Sequence, residues 1–96
     1  MLTLVWSEEA LDDLDAIIEH IGHHNVSAAL KLRDQIEACA ERLPEHPHLY
    51  RQGRVLGTRE AVVHPNYILI YEVRMDAIEI RSVVHSRREY PPVDDA

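Results

Sequence analysis

The sequence predicts an α+β fold of two layers: a helical hairpin packed on one face of a four-stranded, largely antiparallel sheet, in the order β-α-α-β-β-β. Three observations predict it. Residues 67–73, Tyr-Ile-Leu-Ile-Tyr-Glu-Val, are dominated by β-branched and aromatic types and hold neither Gly nor Pro, the profile of a central strand. After the short Met75-Asp76-Ala77 connection, Ile78 to His85 alternates with period two and supplies a partner strand. Between residues 8 and 43, apolar side chains recur at spacings of three and four, interrupted only around Gly22 to Asn25.

In chain order, Leu2, Leu4 and Trp6 alternate with Thr3, Val5 and Ser7 and predict a first strand over 2–6. Ser7 is placed to cap a helix over 8–22, with Glu8 and Glu9 suited to its dipole and Trp6 and Leu11 at the staple positions. The stripe of that helix is Leu11, Leu14, Ile18 and Ile21, widened by Ala10 and Ile17, and Asp12, Asp13, Asp15 and Glu19 lie mostly off it. Asn25 or Ser27 caps a second helix over 26–43, whose stripe is Ala29, Leu32, Ile36, Cys39 or Ala40, and Leu43; Pro44 stops it. An irregular stretch with Pro44, Pro47 and Gly53 leads into strands over 54–63, 67–74 and 77–85. The reading is one domain over 1–91, with 92–96 a fraying tail.

The composition narrows the function. A 46% hydrophobic content excludes a disordered chain, and no apolar run is long enough to span a bilayer, so a cytoplasmic protein is expected. Cys39 is the single cysteine and reads as a core residue. The net charge is −7, and it resides in the first fifty residues, where Lys31, Arg33 and Arg42 face ten acids. Seven arginines balance seven acids in the rest. Such a chain is a poor non-specific nucleic-acid binder, although a local arginine cluster can still hold an anion.

Strict alternation places Ile78, Ile80, Ser82 and Val84 inward and Glu79, Arg81, Val83 and His85 outward. Ile68, Ile70 and Val83 would then share a face with Arg81 and His85, a mixed surface suited to a partner-binding groove. His85 at a strand end, followed by Arg87 and Arg88, is a candidate acid/base group beside anion clamps, with Arg59 near the same groove. Solvated strand-end residues are the plain alternative. His20, His23 and His24 lack a thiolate nearby and straddle Gly22, so no metal site is expected; no cofactor is expected either.

Several segments then stand out together: residues 5–10 (Val-Trp-Ser-Glu-Glu-Ala), 53–60 (Gly-Arg-Val-Leu-Gly-Thr-Arg-Glu), 64–73 (His-Pro-Asn-Tyr-Ile-Leu-Ile-Tyr-Glu-Val) and 84–88 (Val-His-Ser-Arg-Arg). In these segments and their order the chain resembles the RelE/ParE superfamily, the toxin halves of bacterial type II toxin–antitoxin modules. The resemblance implies a cognate antitoxin that wraps and silences the toxin. It also implies one of two targets: DNA gyrase for ParE-like members, or the translating ribosome and its mRNA for RelE-like ribonucleases.

Carried over from the ribonucleases, Arg59, His85 and Arg87 would be catalytic, with Tyr90 standing in for a C-terminal aromatic. On the mixed sheet face and the basic cluster after it, Ile68, Ile70, Arg81, Val83 and Arg88 would contact the partner. The sequence departs from the ribonuclease pattern at Ile68 and Ala61, where those enzymes carry cations, and this favours gyrase-type inhibition. An α+β interaction module without activity is the remaining reading.

Overall fold

The computed structural model describes residues 2–88, 90 and 91. Its elements are β1 (Thr3–Trp6), α1 (Glu8–Gly22), α2 (Val26–Arg42), β2 (Arg51–Gln52), β3 (Thr58–His64), β4 (Tyr67–Val73) and β5 (Ala77–His85). Both helices start where side-chain caps dictate. The Ser7 hydroxyl accepts from the Ala10 N–H at 3.1 Å and Asn25 Oδ1 from the Ala28 N–H at 3.0 Å. Asn25, not Ser27, is the second cap.

The sheet is mixed and has five strands in the order β1-β5-β4-β3-β2. β4 is central, and β1 runs parallel to β5, with Thr3 opposite Ala77 and Trp6 opposite Ile80. The fifth strand corrects the expectation of four. The stretch expected as one strand over 54–63 is a two-residue strand, a turn, and β3. Thr58 closes that turn by donating its N–H to the Val55 carbonyl at 3.1 Å and accepting from the Gly53 N–H at 2.7 Å. Gly57 takes φ +87°, which a side chain resists, and a β-carbon at Gly53 would collide with the Thr58 side chain. The two glycines therefore permit a reversal where propensity alone suggested continuity.

The helices cover one face of the sheet. Leu14, Leu32, Ile36, Ala40 and Leu43 pack on Ala61, Leu69, Tyr71, Ile78, Ile80 and Val83. The α2 stripe is buried as its spacing requires, Cys39 included. On α1 the buried edge is Ala10 and Leu14, with Ile17, Ile18 and Ile21 half-buried, while Leu11 is 46% exposed. The stripe is thus rotated away from Leu11. Ile68, Ile70 and Val84 form a second, smaller cluster on the opposite face, and Tyr90 packs against it.

One irregularity reorganises β5. Ile70 pairs with Ser82 and Tyr71 with Ile80, so Arg81 is an extra residue opposite no partner, a β-bulge. It inverts the alternation for the rest of the strand. Val83 enters the helix-side core and Val84 the opposite cluster, the reverse of what period two predicts. The grouping of Val83 and His85 with Ile68 and Ile70 on one face is therefore corrected.

Candidate functional site

The sheet face away from the helices is covered at its centre. Glu60, cross-strand to Ile70, has a side chain only 1% exposed. One of its oxygens accepts from Arg51 at 2.9 Å, and the other from the Arg54 backbone N–H at 3.0 Å, with the Arg54 guanidinium 3.6 Å away. Ile68, Ile70 and Val84 lie beside it under Tyr90, whose carbonyl accepts from Arg54 at 3.3 Å. Burial pushes the Tyr90 phenol above its ordinary pKa. Glu60 offsets one of the two arginine charges here, and Tyr90 packs on the Ile68, Ile70 and Val84 cluster, while Val62, cross-strand to Ile68, stays 54% exposed.

The other face opens at one end. β1 stops at Trp6, so β5 beyond Ile80 has no strand on that side, and α1 supplies the missing partners. The Ser7 hydroxyl donates to the Arg81 carbonyl at 3.1 Å, and the Val83 N–H donates to Asp13 Oδ2 at 2.9 Å. The cap of α1 and one of its side chains thereby satisfy backbone groups that a longer β1 would have taken. Next to them is a cleft of about 240 Å³ lined by Asp13, Ile17, His20, Tyr67, His85 and Arg88, with Val83 at its floor. Partial burial raises the Asp13 pKa, while the Val83 N–H and the nearby Arg88 charge pull it back.

The histidine rings at this end are fixed. His85 Nδ1 accepts from the Arg87 N–H at 3.1 Å, and His64 Nδ1 from the Asn66 N–H at 3.0 Å. A neutral imidazole that accepts at Nδ1 carries its proton on Nε2. His85 therefore offers a donor at Nε2 in this arrangement, and a general base there would have to give up the Arg87 bond. Tyr67 meets His85 edge-to-face, with centroids 5.2 Å apart.

The sequence-derived candidates do not converge. Arg59 lies opposite Tyr71, and His85 opposite Tyr67, four residues away along β4. That separation is roughly 13 Å of strand. Arg59 donates to the Tyr50 carbonyl at 2.8 Å and pins the loop after α2. Arg87 is exposed, and its backbone, not its guanidinium, contacts His85. Arg81 is held by Glu79 at 2.9 Å in a cluster that includes Arg74 and Glu72. Ile68 and Ile70 are buried under Tyr90, Val83 is in the main core, and Arg88 stands at the cleft.

Sequence reasoning missed Asp13, Glu60 and Tyr67. Asp13 had a signal: it falls three residues after Ala10 and four before Ile17, on the buried side of α1. Among the described residues no group of three or more His, Cys, Asp or Glu side chains is arranged to hold a metal ion.

A model of the ParE toxin of the type II toxin–antitoxin system parDE matches residues 4–90. The chain belongs to the ParE toxin family. It is 33% identical over 90 residues to the toxin RelE2 of Caulobacter vibrioides, covering 92% of this chain and 99% of that protein. It is 34% identical over 89 residues to the Y4kP protein of Sinorhizobium fredii, covering 92% of each. The fold is similar to that in the chromosomal ParDE system of P. aeruginosa, with a TM-score of 0.79, 24% identity, and coverage of 88% of this chain and 96% of that one. It is also similar to that in the E. coli DinJ–YafQ complex, with a TM-score of 0.62, 15% identity, and coverage of 88% and 93%. Family membership in a toxin–antitoxin system implies a cognate antitoxin as partner. Among the described residues no helix is long and apolar enough to cross a membrane.

Proposed function

We propose that this ParE-family toxin arrests growth by binding DNA gyrase, and that a cognate antitoxin silences it by covering the toxin's surface. The observation that carries the reading is the scatter of the candidate catalytic groups, beside the covered centre of the second face. Arg51 and Arg54 are committed to Glu60, Ile68 and Ile70 are sealed by Tyr90, and Arg59 and His85 stand at opposite ends of β4. Cleavage of RNA needs a base, an acid and cations converging on one phosphate. Inhibition of an enzyme by surface contact needs none of these. The acidic helical half also opposes docking on ribosomal RNA.

A second reading, ribosome-dependent cleavage of mRNA by Arg59, His85 and Arg87, draws support from the RelE2 relative. One culture separates the two. After induction, DNA breaks with uncut message are expected; early codon-positioned cuts in ribosome-bound mRNA with intact DNA would overturn the gyrase reading. In the ribonuclease case His85→Ala should lower cleavage by about 10²-fold or more. In the gyrase case the same variant should still arrest growth.

A further inference from the structure

The cleft at the open end of the sheet has a chemistry of its own. Its carboxylate, Asp13, is half-buried and among the described residues receives one hydrogen bond, from Val83, although an ionised carboxyl can accept about four. Its floor and one wall are apolar, Val83, Ala16 and Ile17, and the rings of Tyr67, His85 and His20 line the rest. A carboxylate among aromatic rings over an apolar floor suits a long cationic side chain. The head pairs with the acid, the Tyr67 ring can attract its charge, and the stem covers the hydrocarbon. At about 240 Å³ the space is smaller than the usual cleft for a drug-sized ligand and matches one inserted side chain.

The field around the cleft has the same preference. Glu8, Glu9, Asp12, Asp15 and Glu19 are exposed along α1, and the first fifty residues carry the entire net charge of −7. A basic segment is attracted to this surface from a distance, and an anionic one is repelled. Arg88 and the His85 Nε2–H are donors that a phosphate could use, yet any phosphate there would also face Asp13 and the acidic helix.

We propose that this cleft receives an arginine side chain of the antitoxin, with the guanidinium on Asp13 and the stem against Ile17 and Val83. The antitoxin as source rests on the toxin–antitoxin reading above; the cation-binding cleft does not. Arginine is preferred to lysine because a planar fork can engage the carboxylate with two parallel hydrogen bonds and stack on a ring.

The test uses the full-length toxin, alone and with its antitoxin. Titration of the free toxin with N-acetyl-arginine amide, followed by NMR at the ring protons of His20, Tyr67 and His85, should move those signals. Asp13→Asn keeps an oxygen for the Val83 N–H and removes the charge, so it should weaken the titration about tenfold. Arg88→Ala removes a competing cation from the rim and should tighten it about twofold. In the complex, Asp13→Asn should speed antitoxin dissociation about tenfold or more.

Ring-proton shifts with inorganic phosphate or guanosine monophosphate, but none with the arginine amide, would overturn the proposal. So would a loss of affinity in Arg88→Ala, or a wild-type dissociation rate in the Asp13→Asn complex. Failure of the wild-type toxin to bind any antitoxin would instead overturn the toxin–antitoxin reading, and the amide titration would still decide the cleft.

Discussion

On the face away from the helices, Glu60 is sealed from solvent and commits both oxygens to Arg51 and Arg54. On the second turn of α1, Asp13 is half-buried and, among the described residues, receives a single backbone N–H. The first acid is part of β3, and the second reaches β5 from α1. One belongs to a completed polar network, which a structure can hold indefinitely. The other carries acceptor capacity into a cleft. The difference teaches where recognition by this chain can occur: groups that are already satisfied offer a partner nothing to gain, and a charge held with spare lone pairs does.

Substitutions can break that comparison on either side. The largest effect is expected at Ile70, which is wholly buried in the second-face cluster; Ile70→Ala should cost about 2–5 kcal/mol in urea unfolding by leaving a cavity. Glu60→Ala should cost about 2–3 kcal/mol, because the Arg54 N–H and two guanidinium groups lose their acceptor together. Were Glu60→Ala silent, the second face would not be the closed network described, and Arg51 and Arg54 would be free for an anion.

The smallest and most discriminating effects are at Asp13. Asp13→Ala should cost about 1–2 kcal/mol by orphaning the Val83 N–H. Asp13→Asn should lie within about 1 kcal/mol of wild type, and its relative stability should depend on pH. Burial raises the Asp13 pKa in the folded state, so the stability contributed by the protonated acid is fully present below the ordinary carboxylate value. It is lost as pH rises through the folded value. The Asn variant should therefore gain on wild type between acid and neutral pH, and a paired series of urea melts across that window measures it.

What the sequence made legible follows from how locally each feature is encoded. The α2 stripe and the faces of β4 were readable because each is set by spacing within one element, and Asn25 and Ser7 because a cap acts on a neighbouring N–H. β2 is two residues long and has no periodicity to detect. The Arg81 bulge left no local mark either: Ile78 to His85 alternates cleanly, and the extra residue exists only relative to β4 and α1. That one position moved Val83 and His85 from the expected groove to the helix side. The expected groove, which set His85 beside Ile68 and Ile70, depended on that alternation. Glu60 was hidden for the same reason, because its partners Arg51 and Arg54 meet it only through the β2–β3 hairpin.

The parallel pairing of β1 with β5 also has a consequence in time. Ser7 and Arg81, which meet where these strands part, are separated by 74 residues of chain. Contacts so distant in sequence form late, because the loop that they close must first be ordered. During synthesis the hairpin of α1 and α2 can form early, but β1 has no neighbour until β5 has left the ribosomal tunnel. The wall of the cleft built from Asp13, Val83 and His85 is thus assembled only once β5 has emerged. A cell that makes this toxin beside its antitoxin would have the interval before β5 emerges in which the surface to be neutralised does not yet exist.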